Sequence, residues 1–147
     1  LTVVSFASRI KELACELYGM KEGSKDRVLL QKLGQKMREI DKNVWVNAVI
    51  NKVDKCENIV IDDLRLPNEW HALKSKNFTI IRLVIKPTTQ LERIKELYPN
   101  DWEVHVERLE HITEIALKNY DADYTLECDN LEDLETKLSN ILKDIVN

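Results

Sequence analysis

The sequence predicts an α/β fold built on a mainly parallel sheet. Three observations carry that expectation. Short apolar runs recur at 2–6, 58–62, 79–85 and 122–127, and stretches of helical period separate them. The run "TIIRLVI" at 79–85 is apolar almost throughout, as a strand covered on both faces of a parallel sheet would be. With 147 residues, 44% of them hydrophobic and 33% charged, the chain is long enough for one domain, 1–147, with a real core.

The elements follow in order. Thr2, Val3, Val4, Ser5 and Phe6 read as a strand. Over 8–18, Ile10, Leu13, Ala14 and Leu17 fall at helical spacing, and Gly19 is placed to cap that helix. A polar loop around Gly23 follows. Ser24 is expected to cap a second helix from about Asp26 to Ile40. Asp41, Lys42 and Asn43 break it, and a third helix is expected over 44–53. The strand at 58–62 leads through a turn at Pro67-Asn68 into a helix over 69–76, which Asn68 and Glu69 would cap. Pro87 ends the strand at 79–85. "TQLE" at 89–92 reads as a capping box opening a helix to Leu97. Residues 99–101 form a turn and 102–119 are helical in pattern. The strand at 122–127 precedes a last helix, with Asn130 as its cap. Leu131, Leu134, Leu138, Ile141, Leu142 and Ile145 share one face of it.

Composition narrows the partners. A formal net charge of −4 gives no general attraction to polymeric nucleic acid or to an anionic membrane. No apolar run reaches the length of a membrane span, and no signal peptide is visible. Cys15, Cys56 and Cys128 are odd in number and share no metal-binding or disulfide spacing. That usage fits a reducing compartment, so a cytoplasmic protein is expected. None of the three glycines, Gly19, Gly23 and Gly34, sits in a strand-to-helix turn that could cradle a phosphate.

Two constellations suggest chemistry. In "IVIDDLRLPNEW", an apolar strand ends on Asp62, Asp63 and Arg65, at the carboxyl end where parallel sheets place ligands. The two carboxylates could hold Mg²⁺, usually through water, and the guanidinium could grip a phosphate with two parallel bonds. An Asp–Arg pair that merely closes a loop fits the same spacing. On the helix 26–40, Arg27, Gln31, Gly34 and Arg38 form a narrow stripe beside the apolar stripe of Leu30, Leu33 and Met37. A mid-helix glycine costs about 1 kcal/mol relative to alanine, so something is expected to approach closely at Gly34. Two guanidiniums flanking that gap suit a phosphate-bearing ligand, although a solvated face with surface ion pairs fits too. Glu103, Glu107, Glu110 and Glu114 run along one helix side, with His111 and Glu114 one turn apart. Too few ligands accompany them for a metal site. Trp45 and Trp102 could stack on a base or simply fill core or rim.

Taken in order, several segments resemble the deoxynucleoside monophosphate kinase family of phages and related bacterial and viral sequences, within the P-loop kinase superfamily. "SFASRIKELACELYG" resembles the family's SFA-x-x-[LI]-K-E segment. "KDRVLLQKLGQKMREIDKNVWVN" resembles its [KR]-x-x-L-Q-x-L-G-x-x-x-R…W-V-N segment. "VIDDLRLPNEW" resembles D-x-R-[FL]-x-N-E. "HITEIALKNYDADYTL" resembles H-x-[ST]-E-x-x-L before a terminal strand, and "NLEDLETKLSNIL" resembles the closing helix. The resemblance covers most of the chain. It implies a P-loop kinase-like, three-layer parallel sheet flanked by helices, with a lid-like region at about 87–119. It implies transfer of the ATP γ-phosphoryl group to a nucleoside monophosphate, with ATP and Mg²⁺ as cofactors and a small nucleotide as partner, and it allows a homodimer.

On this resemblance Asp62, Asp63 and Arg65 form the catalytic strand tip, and Asp63 or Asp62 supports the Mg²⁺ shell through a bound water. Arg38 and Arg65 hold the acceptor phosphate. Gln31 and Trp45 help position base or sugar, Lys11 and Arg27 add positive charge, and His111 and Glu114 lie in the lid. Animal phosphomevalonate kinases resemble the same family, so another small phosphorylated metabolite is an alternative acceptor. An inactive nucleotide-binding or interaction module is a third reading. The sequence departs from the family at its start. The family opens with a strand, a Gly-rich P-loop and a helix, whereas "LTVVSFA" matches its second strand. In P-loop folds the first strand lies inside the sheet, and its loss leaves neighbouring backbone groups unpaired. The resemblance therefore implies that the natural N-terminus precedes Leu1, and that the chain as given, without a phosphate cradle, turns over no nucleotide.

Overall fold

Alternating strands and helices appear as the hydrophobic pattern requires. The computed structural model describes residues 2–24, 26–54, 58–107, 109 and 115–146. These fall into two compact units, Leu1–Ser75 and Lys76–Asn147. The chain is mixed α/β, and all its described strand pairs are parallel.

In the first unit, β1 (Thr2–Val4) pairs with β2 (Ile59–Ile61), with Val3 opposite Val60. α1 (Ser8–Tyr18) follows β1 directly and buries Ile10 and Ala14. It ends where expected: Gly19 adopts the left-handed conformation at φ 66°, and its N–H reaches back to the carbonyls of Ala14 and Cys15. α2 (Arg27–Ile40) is capped by Asp26, whose side chain accepts from the Leu29 N–H. Ser24 was expected in that role; its hydroxyl donates instead to the Lys21 carbonyl. α3 (Val44–Val53) buries Trp45, Val46 and Val49. α4 (Pro67–Ser75) starts two residues earlier than its pattern suggests. Pro67 opens the helix rather than forming a turn before it, because the ring's fixed φ and missing N–H suit the first helical position. Val4, Phe6, Ile10, Ala14, Trp45, Val46, Val49 and Leu73 form the core of this unit.

In the second unit, β3 (Ile81–Val84) pairs with β4 (Tyr124–Glu127). The Asp123 carboxylate accepts from the Ile80 N–H at 2.7 Å, which sets that register. α5 (Pro87–Leu97) begins on Pro87, so the expected capping box at Thr89 does not form; Thr89 reaches Asp129 instead. α6 (Trp102–Glu107) is short, and residues 116–119 are turns, so the expected continuous helix over 102–119 is not what the described residues form. Trp102 lies under the Lys95 ammonium, 4.6 Å from ring centre to nitrogen. His105 stacks on Tyr98 at 3.7 Å and faces Asp101. α7 (Leu131–Val146) is capped by Asn130, as its sequence suggests. It buries Ile141, while Leu131, Leu142 and Ile145 stay exposed.

The described strands make two parallel pairs, β1–β2 in the first unit and β3–β4 in the second. No described helix is long and apolar enough to cross a membrane.

Candidate functional site

The tip of β2 and the start of α4 bring the first unit's charged residues together. Asp63 follows the strand, and its carboxylate turns toward the β1–α1 connection. Oδ1 accepts from the Phe6 N–H at 2.8 Å; Oδ2 accepts from the Ala7 N–H at 2.9 Å and the Ser5 hydroxyl at 2.6 Å. The backbone N–H groups at the head of α1 have no helical partner of their own, and a carboxylate satisfies them well. Asp63 therefore ties the ends of two paired strands together. Asp62, its neighbour, is exposed.

Glu69 makes a second clamp of the same kind. It is only 5% exposed, and its Oε2 accepts from the N–H groups of both Arg65 and Leu66 at 2.9 Å. As the third residue of α4 it reaches back to the residue before the helix, the acceptor half of a capping box. Burial pushes its carboxyl above the ordinary range. The Arg65 and Leu66 N–H groups pull it down, the Asp63 charge adds to the rise, and the Arg38 guanidinium opposes it. Glu69 thus holds the Arg65 backbone and feels the charges of Asp63 and Arg38. Asn68 does not cap α4; its amide donates to the Lys42 carbonyl and the Asn43 side chain, pinning the turn before α3.

The α2 stripe is explained residue by residue. Gly34 is buried, and a Cβ there would lie 3.4 Å from Ile10 Cδ1 and 3.7 and 3.9 Å from Arg38 Nη1 and Nη2. What approaches the helix at Gly34 is therefore α1, together with the Arg38 guanidinium folded back from the next turn. The Trp45 indole N–H donates to the Gly34 carbonyl at 3.2 Å, and its ring is 4% exposed. Trp45, a candidate base-stacking residue, is placed instead in the core behind Gly34, where its polar edge has a partner. Arg27, Gln31 and Lys11 are exposed on α2 and α1. His111 and Glu114 lie outside the described residues.

The donor set bears on a cation. Among the described residues no group of three or more His, Cys, Asp or Glu could hold a metal ion. Asp63 spends its oxygens on α1, so the pair offers one engaged carboxylate and one exposed one. The sequence had suggested the Asp62–Arg65 tip and the Arg38 stripe. It placed Glu69 as a cap of α4, which the carboxylate is, and missed Ser5 and Asn68 as a pin. The readable signal for Glu69 was its place two residues after a helix-opening proline.

No protein-family model matches the chain, and neither a curated protein nor a solved structure matches it.

Proposed function

We propose that the chain binds a phosphorylated small molecule, in first place a nucleoside or deoxynucleoside monophosphate, as the phosphoryl acceptor in an ATP-dependent kinase reaction. The observation that carries this reading is the corner at the β2 tip. There Glu69 holds the Arg65 backbone N–H two residues past Asp63, and the charge of Arg38, folded over Gly34, is felt at Glu69. Cations from separate elements at the carboxyl end of a parallel strand suit a phosphate. Arg38 and Arg65 would neutralise the acceptor phosphate. Exposed Asp62 would face the hydrated Mg²⁺ that accompanies ATP, while Asp63 holds the β1–α1 turn against it. Mg²⁺, when bound, neutralises charge on the transferred group; the protein's share is positioning.

A second reading is a nucleotide-binding module without turnover. It is favoured by the β1–α1 turn, whose Phe6 and Ala7 N–H groups are given to Asp63 and so cradle no phosphate. Phosphomevalonate-like acceptors remain the alternative within the kinase reading.

The test pairs turnover with binding. Each ribo- and deoxyribonucleoside monophosphate, and phosphomevalonate, is supplied with ATP and Mg²⁺, and the diphosphate product is measured beside equilibrium binding. Arg65→Lys keeps the charge but loses the fork, and is expected to weaken acceptor binding about tenfold with stability within about 0.5 kcal/mol. Binding without product keeps the acceptor site and leaves this chain without turnover. No binding of any acceptor, or an Arg65→Lys variant equal to the unsubstituted protein, defeats the assignment.

A further inference from the structure

Two carboxylates at the β2 tip are committed to backbone. Asp63 does this at an intermediate depth, but Glu69 does it from inside the core of the first unit, at 5% exposure. A buried carboxylate beside another acid carries a desolvation cost that a solvent-facing helix cap avoids. What the buried position adds is reach: Oε2 holds the Arg65 N–H as well as that of Leu66, at 2.9 Å each. Arg65 is exposed and stands between the end of β2 and the start of α4.

We infer that Glu69 is a positioning residue for anion binding, acting through the Arg65 and Leu66 N–H groups to fix the backbone from which the Arg65 side chain projects. The inference rests on the proposed reading of Arg65 as a phosphate-binding side chain, and assigns a residue that reading does not use. The effect runs through accepted hydrogen bonds. An uncharged acceptor of the same shape therefore preserves most of it, and an apolar side chain of similar volume abolishes it.

Glu69→Met and Glu69→Gln separate these. Binding of inorganic phosphate and of the four deoxynucleoside monophosphates is measured by calorimetry, and amide exchange at Arg65 and Leu66 by NMR. Glu69→Met is expected to weaken binding about tenfold and to speed exchange at both amides, since two donors lose their acceptor. Glu69→Gln is expected to restore slow exchange and to bring affinity within about threefold of the unsubstituted protein. If Glu69→Met does not fold, Glu69→Asp, which keeps charge but not reach, takes its place with the same expectation. Normal binding by the Met or Asp variant overturns the inference and leaves the proposed function standing. A Gln variant as weak as Met overturns it too, because charge rather than hydrogen bonding would then matter. Absence of binding by the unsubstituted protein removes the proposed function, and this inference with it.

Discussion

Replacing Gly34 by alanine separates two explanations of a costly residue. A glycine inside a helix gives up about 1 kcal/mol relative to alanine. At Gly34 the added methyl would meet Ile10 Cδ1 at 3.4 Å and the Arg38 guanidinium at 3.7 and 3.9 Å, all ordinary contact distances. The nearest atom is the end of a flexible side chain, so a small shift of Ile10 relieves any crowding. Burying a methyl adds up to about 0.8 kcal/mol, less whatever the Ile10 shift consumes. Gly34→Ala should therefore stabilise the protein by about 0.5–1.5 kcal/mol and raise Tm by roughly 2–4 °C per kcal/mol. Urea unfolding and calorimetry measure both. Phosphate affinity should change little, because the methyl meets the Arg38 guanidinium only at ordinary contact distance. Destabilisation beyond about 1 kcal/mol would show that the α1–α2 contact is tighter than its distances imply. Stabilisation accompanied by a tenfold loss of anion affinity would refute the placement of Arg38 as the group that fills the gap.

Asp63→Ala strips the acceptor from two backbone N–H groups and the Ser5 hydroxyl, and should cost about 2–4 kcal/mol in urea unfolding; a cost under about 0.5 kcal/mol would mean the clamp carries no strain when lost. Glu69 supplies a pH dependence. Its folded-state carboxyl titrates above its ordinary range, so the stability it contributes is complete below the unfolded-chain value and is lost as pH rises through the folded one. The unsubstituted protein should therefore lose stability relative to Glu69→Gln across that window, and a constant difference between the two would contradict the buried placement. Trp45→Phe removes the donor to Gly34 and should cost about 1 kcal/mol while leaving nucleotide affinity intact; a marked loss of affinity would return Trp45 to the binding surface.

Much of the local architecture was legible in the chain. The 3.6-residue period placed α1 and α3 to the residue, and glycine after Tyr18 marked a left-handed helix end. Misjudged boundaries cluster where a proline or an acid competes for a helix start. Pro67 and Pro87 open helices that their neighbours were expected to open, and Asp26 caps one assigned to Ser24. The candidate site was half legible. Charges at a strand tip and arginines on a helix stripe can be read from spacing. Whether a carboxylate there meets a ligand or a backbone cannot, because the Asp63 partners Phe6 and Ala7 lie 57 and 56 positions away in sequence. Trp45 shows the same limit: an indole looks alike in sequence whether its N–H faces solvent or the Gly34 carbonyl.

By itself, then, the sequence determined the class of each element and which residues fall on each face, because periodicity and capping are interactions among near neighbours. Tertiary structure decided which strands pair, that Asp63 and Glu69 hold backbone, and that Ile10 and Arg38 close on Gly34. The strand pairing, the Asp63 bonds and the Ile10 contact depend on groups far apart in the chain competing for the same donors and the same space, and no local pattern records who wins.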